Sequence, residues 1–328
     1  MAKPATPPHM ASRHLFSRLA PRSGWLSLIA AAASMASGAA QAAGVLHVAY
    51  AGSMGAVMDH GLAPAFTKQE GVTLQGTGQG ALALARLIKS GTLAEDVFIS
   101  ITPGPMRLLQ KAGLAGPAAP IASTSMVIAY SPKSKFAPSF ASAAAGKADI
   151  FKVLQTKDLR FGRTDPRTDP LGQNIILTLK LAALYDHQPG LSGKIIGDTI
   201  NPAQIFAEPS LLSRLDAGQL DAAAAYASFA ASHHMTYVKL PDEVNLSDPT
   251  KGPTWYSKVS FMLQGAKGPA KMIKASPLVF YAAALKNAAN PKAAQDFVSF
   301  LTSAKGQKIL TAQGYGPPKG ATLIPSKP

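Results

Sequence analysis

From residue 45 to residue 111 the chain alternates short β-branched apolar runs with longer segments whose apolar positions recur every three or four residues. "VLHVAYA" (45–51) reads as a strand and "AVMDHGLAPAFTKQ" (56–69) as a helix interrupted at Gly61 and Pro64. "GVTLQG" (71–76) reads as a second strand and "ALALARLIKSG" (81–91) as a helix ended by its glycine. "DVFIS" (96–100) is a third strand, with Pro103 at the start of the next helix. Such βαβ alternation predicts a mostly parallel sheet with helices on both faces.

The strand in "SMVIAYSPKSKF" (125–136) ends at a polar turn, a natural crossing to a second lobe. There the pattern predicts helices at 148–156, "IILTLKLAALYD" (175–186) and "PSLLSRLDAGQ" (209–219), then the small-residue strand "LDAAAAYASFA" (220–230). "HMTYVKLP" (234–241) reads as the strand returning to the first lobe. Strands near 258–264 and 277–285, two helices over 291–314 and a tail expected to fray ("PPKGATLIPSKP", 317–328) complete the chain. The expected fold is thus α/β with two lobes, 43–125 plus 238–328 and 126–237. Two crossing segments form a hinge, and ligand belongs in the cleft.

Residues 1–42 change this picture. Lys3, Arg13, Arg18 and Arg22 occur there without an acidic residue, followed by the apolar run "WLSLIAAAASMA" (25–36) and then Ala40-Gln41-Ala42. This is the order of a signal peptide cleaved after Ala42. Its apolar core is shorter than the roughly 20 residues that span a bilayer. Met10 is an alternative start. The remaining 286 residues exceed what one core usually fills. Cysteine is absent, which excludes disulfides, thiolate metal sites and a lipid-anchor cysteine. The expectation is a soluble periplasmic protein. Without the leader the net charge falls from +15 to +11, a field that favours anions. The basic residues are dispersed and show no stacking platform, so nucleic acid is not an expected partner.

Ala51-Gly52-Ser53-Met54-Gly55 approaches the nucleophile elbow G-x-S-x-G, with Ala in place of the first Gly. Here, however, the serine follows the first mature strand, and the only late histidines are the adjacent His233 and His234. A secreted serine hydrolase is therefore the lesser alternative. Ser53 at a helix N-terminus is better placed to hold an anion, because free N–H groups and the helix dipole favour negative charge there. "GTGQGA" (76–81) fits a dinucleotide fingerprint on its face, but Asp96, at the right spacing, opens its strand and lies at the wrong sheet edge. The preferred reading is a second glycine-rich helix start, with Gly80 and Ala81 facing the cleft beside Gly52 and Ser53. In "TDPRTDPLGQN" (164–174) the Leu171-Gly172 step could present N–H groups from the second lobe. His47, His60, His187 and the histidine pair show no metal-ligand spacing, and no cofactor is expected.

With these motifs in view, the chain resembles the periplasmic molybdate/tungstate-binding proteins of ABC importers, within the type II solute-binding superfamily. "AGSMGAVMDHGLAPAFTKQEGV", "LARLIKSGTLAEDVFIS", "FGRTDPRTDPLGQN" and "LLSRLDAGQLDAAAAY" are similar, in order, to that family's segments. The resemblance implies a monomeric binding protein, not an enzyme. It would clamp a tetrahedral oxyanion between its lobes and deliver it to an inner-membrane permease; another small anion, such as sulfate, phosphate or an organic acid, is the alternative cargo. By the same resemblance Ser53 would donate its hydroxyl and amide, Tyr226 its phenol, and Leu171 and a residue near Ser210 their backbone N–H groups. The family's second serine falls on Ala81. Some members complete a six-coordinate metal centre with an Asp before the D-P-x-G proline and a Glu before the tyrosine. Asp169 keeps the first position and is a candidate direct ligand of the oxyanion's metal centre; Ala225 occupies the second.

Overall fold

The structure, a computed structural model, describes residues 44–265 and 268–325. The leader expected over 1–42 lies outside the described residues. Among the described residues eleven strands run in order: β1 (Val45–Ala51), β2 (Thr73–Gln79), β3 (Val97–Ile101), β4 (Ala119–Ser123), β5 (Met126–Tyr130), β6 (Phe161–Gly162), β7 (Ala222–Tyr226), β8 (Tyr237–Lys239), β9 (Ser260–Leu263), β10 (Lys271–Lys274) and β11 (Val279–Ala284). They form a five-stranded sheet, β2-β1-β3-β11-β4, a four-stranded sheet, β6-β7-β5-β8, and the hairpin β9-β10.

In the first sheet β1 lies parallel to both β2 and β3, and β11 pairs antiparallel with β3 and β4. In the second, β6 is parallel to β7, and β5 is antiparallel to β7 and β8. Each sheet therefore has one strand reversed against the rest, and in each the buried strands read as runs of Val, Ile, Ala and Phe, as expected where both faces are covered. The chain passes from one sheet to the other between Ser123 and Met126.

The return path differs from the expectation. Residues 237–239, read from sequence as the strand going back to the first lobe, pair with β5 in the second sheet. The first sheet is rejoined only at β11. A three-residue strand with one buried position, Val238, carries no sequence signal of which sheet it extends.

Two local departures have steric causes. Gly55–Glu70 is one continuous helix, because a π turn over Met58–Leu62 replaces the expected interruption. Such a turn reorganises the backbone hydrogen bonds just ahead of Pro64, whose missing N–H would break a regular α ladder. Met58, Leu62 and Phe66 thus remain on one buried face, with Phe66 edge-on to Phe297 at 4.9 Å. β2 runs on to Gln79, so Gly76 and Gly78 belong to a strand rather than a loop. A Cβ at either would stand 2.6 Å from the Tyr50 ring, so these glycines make room for an aromatic side chain.

Asp96, the acid the dinucleotide reading required, is buried and accepts from the His47 amide (2.8 Å) and the Asn290 amide (3.0 Å). Its role is to tie β1 to the start of the helix Pro291–Thr302. The tail is held rather than frayed as far as Leu323. Leu323 exchanges backbone hydrogen bonds with Ala118 at 2.9 Å, and its carbonyl accepts from Gln110 Nε2 at 2.8 Å.

Candidate functional site

β1 and β7 both end at the site, β1 through Ala51 and β7 through Tyr226. After β1 the chain makes a tight turn over Gly52–Met54 and enters the long helix, so the Ser53 side chain is set at a helix start. Ser53 is 1% exposed, and its Oγ has no hydrogen-bond partner among the described residues. A buried hydroxyl without a partner costs about 1–3 kcal/mol, and a polar ligand would relieve it. The Ser53 carbonyl is fixed by the Tyr315 hydroxyl, which donates to it at 3.0 Å.

Facing this turn are two elements of the 126–239 segment. Asp169 N-caps the helix Pro170–Tyr185, and its Oδ1 accepts from the Leu171 amide at 2.9 Å. One turn into the same helix, Asn174 Nδ2 donates to the Tyr226 hydroxyl at 3.0 Å, and both residues are buried. The second element is the helix Glu208–Asp216, whose first residue turns inward. Glu208 is buried and its Oε1 lacks a partner among the described residues. Its Oε2 lies 2.7 Å from where a Cβ on Gly52 would stand, so only glycine at 52 admits the carboxyl there.

The resulting cluster holds two acids away from water. Burial raises the Asp169 carboxyl above the ordinary range; the Leu171 amide and Thr164 hydroxyl oppose this, and the charge of Asp165 adds to it. Burial raises Glu208 well above its range too, the Asp169 charge raises it further, and the Ser53 amide pulls it back. The Tyr226 phenol is raised for the same reasons, burial first and Asp169 second. It therefore stays protonated and able to donate.

Gly80 and Ala81 meet the same region. Gly80 caps the helix Ala81–Lys89, and a Cβ on it would stand 2.9 Å from the Thr168 carbonyl and 3.2 Å from Asp169 Cβ. The Ala83 amide donates to the Thr168 carbonyl at 3.1 Å, and Arg86 Nη1 to the Arg167 carbonyl at 2.8 Å. The predicted residues Gly52, Ser53, Gly80, Asp169 and Tyr226 are thus brought together, with Ala81 buried beside them. Two backbone donors are already engaged: Leu171 by Asp169, and Ser210, half-buried, by the Ala207 carbonyl at 2.9 Å. Sequence reasoning missed Glu208, Asn174 and Tyr315. An acid in a first helical turn is the ordinary partner of the dipole, so nothing in "FAEPSLLSRL" distinguishes an inward carboxyl from a solvated one.

Residues 46–316 match the family described as bacterial extracellular solute-binding protein. The chain belongs to that family. Among its relatives, the molybdate/tungstate-binding protein WtpA of Pyrococcus abyssi is 33% identical over 208 residues, which cover 58% of each chain. WtpA of Thermococcus kodakarensis is 32% identical over 208 residues, covering 58% of this chain and 57% of the relative. The match therefore spans little more than half the length of these relatives. Among solved structures, the periplasmic molybdate-binding protein of Azotobacter vinelandii superposes with a TM-score of 0.58 at 18% identity, covering 84% of this chain and all of its own. The substrate-binding domain of a molybdenum ABC transporter from Clostridium difficile gives 0.52 at 19% identity, over 84% and 99%. These superpositions show that this solute-binding protein has the two-lobed fold of periplasmic binding proteins.

Proposed function

We propose that this solute-binding protein captures a tetrahedral oxyanion, tungstate or molybdate, between its two lobes, with residues 126–239 in the second, and hands it to an ABC permease. Export through the leader would place it in the periplasm, as a monomer. The observation that carries the reading is the buried Ser53 hydroxyl, without a partner among the described residues and set at a helix start in the cluster that holds the protonated Tyr226 phenol. Neutral donors at helix starts replace an anion's water shell without bringing a counter-charge that must itself be desolvated. Both WtpA relatives carry molybdate and tungstate in their names, which supports the choice of cargo. No bond of the cargo breaks, so the work of the site is selection and closure.

Asp169 takes part as an oxygen donor to the metal of the oxyanion; a carboxylate that only faced a dianion would repel it. A ferric-ion reading draws on the same acids and the tyrosine. Against it, the described residues contain no group of three or more His, Cys, Asp or Glu side chains placed to hold a metal ion.

A thermal-shift panel of tungstate, molybdate, sulfate, phosphate and ferric ion tests the reading. Ligand at 100 times its Kd adds about 2.7 kcal/mol of stability. Tungstate or molybdate should raise the midpoint, and stabilisation by ferric ion or phosphate alone would overturn the reading. Closure has its own measurement: X-ray scattering should show a smaller radius of gyration when tungstate is added. An unchanged radius with tight binding would refute a clamp.

A further inference from the structure

From Pro249 to Gln295 the chain carries seven lysines and no acidic residue. Lys251 and Lys292 are paired, with Glu243 at 3.2 Å and Asp296 at 2.6 Å. Among the described residues Lys258, Lys271 and Lys274 have no acid within ion-pair distance, and all three are exposed. They lie on and beside the hairpin β9-β10, which belongs to neither sheet. The hairpin has two unlike faces. Side chains alternate along a strand, and in β9 Phe261 and Leu263 are buried while Ser260 and Met262 are exposed. Across the antiparallel pair Met262 stands opposite Met272 and Ser260 opposite Lys274, so these four share the outer face. The methionines are 53% and 52% exposed, two of the three most exposed large apolar side chains among the described residues. Single exposed apolar side chains are ordinary on a protein surface. Two placed as cross-strand partners beside unpaired lysines form a patch that calls for a partner.

We infer that the outer face of the β9-β10 hairpin is a membrane-contact surface, its lysines set against the anionic headgroups of a phospholipid bilayer and its two methionines seated at the acyl boundary. Charge fixes the sign of the partner, because three ammonium groups without acids repel any cationic surface. The side chains fix its kind. A lysine stem is long enough to lie along the interface while the ammonium stays with the headgroups. A thioether chain is unbranched and flexible, so it fits a fluid boundary that offers no fixed pocket. A protein partner matches less well: interface cores are depleted in lysine and anchored by Trp, Tyr and Arg, and Ser260, Met262, Met272 and Lys274 include none of these. Among the described residues no helix is long and apolar enough to cross a membrane, so the contact is interfacial. It would hold the exported protein on the surface where a permease opens. It does not depend on which solute the cradle takes.

The test sediments the exported protein with vesicles of phosphatidylglycerol and, separately, of phosphatidylcholine. The wild type should partition onto phosphatidylglycerol about tenfold more strongly, and added salt should weaken that binding. Lys271→Glu/Lys274→Glu should lose about tenfold or more on phosphatidylglycerol, since each lysine near an anionic surface is worth about fivefold. Met262→Ser/Met272→Ser should lose about tenfold while its preference between the lipids remains. Lys147→Glu/Lys157→Glu makes the same charge change on exposed lysines outside the hairpin and should lose far less. Residues 1–42 are the same in every protein compared, so the contrast belongs to the hairpin. Melting temperatures show that each variant is folded. Equal binding to the two lipids, or none to either, would overturn the inference, and this wild-type comparison decides even if a variant does not fold. An equal loss in Lys147→Glu/Lys157→Glu would trace the effect to net charge and overturn it too. Binding that appears only when an ABC permease is embedded in the vesicles would give the face to a protein and do the same.

Discussion

Replacing Tyr226 by phenylalanine should weaken tungstate binding by about 1.5–3 kcal/mol, the range for a hydrogen bond to a charged group. The argument runs through the direction of one hydrogen bond. Asn174 Nδ2 donates to the Tyr226 hydroxyl at 3.0 Å, so that oxygen is already an acceptor. A phenol has one hydrogen to give, and here it is left pointing elsewhere. Burial together with the neighbouring acids raises the phenol above its ordinary range, so the hydrogen is retained at neutral pH. Tyr226→Phe also leaves the Asn174 amide short of an acceptor, which lowers the stability of the unliganded protein. Calorimetric affinity, read beside the unliganded melting temperature, separates the two effects. A lowered melting temperature with unchanged affinity would show that the ring and its hydroxyl serve only packing.

What the sequence revealed of this site depended on how local each feature is. A strand that breaks at Gly-Ser and continues as a helix is written within ten residues, so Ser53 at a helix start was legible. Asp169 before a proline and a helical run was legible as an N-cap for the same reason, and the structure shows that cap. Glu208 was not legible. Its role depends on being buried against Gly52, 156 positions earlier in the chain, and no local pattern encodes that. The same distinction holds in the fold. The β1–β3 unit follows from periodicity, whereas the pairing of β8 with β5 is a long-range choice by a three-residue strand. The π turn ahead of Pro64 shows a proline overruled by tertiary burial, since breaking the helix there would expose Leu62 and Phe66. The tail, read as loose from its Pro, Lys and Gly content, is held through Leu323.

The second large effect belongs to a glycine. Gly80→Ala should lower tungstate affinity by about 1–3 kcal/mol, the usual cost of forcing a methyl into a filled site, while the unliganded protein keeps its stability. Gly80 sits at φ −53° and ψ 115°, a conformation open to any residue, so alanine introduces no backbone strain of its own. What it introduces is a Cβ 2.9 Å from the Thr168 carbonyl oxygen and 3.2 Å from Asp169 Cβ. The first of these is backbone, held by the Ala83 amide at 3.1 Å, and cannot swing aside as a flexible side chain would. The contact joins the start of the helix Ala81–Lys89 to the loop that carries Asp169, so it exists only when those two elements are in close approach. In the proposed open form the two elements part, and there alanine restricts the unfolded chain, which stabilises by about 0.4–1 kcal/mol where the native backbone is compatible. Affinity and stability should therefore move in opposite directions. Gly55→Ala is the control: its φ is −48° and a Cβ there meets nothing within 4 Å, so it should bind tungstate as the wild type does. The scattering contrast between free and tungstate-treated protein should shrink in Gly80→Ala and persist in Gly55→Ala. Wild-type affinity in Gly80→Ala would mean that the approach of Thr168 and Asp169 to Gly80 is no part of the bound form.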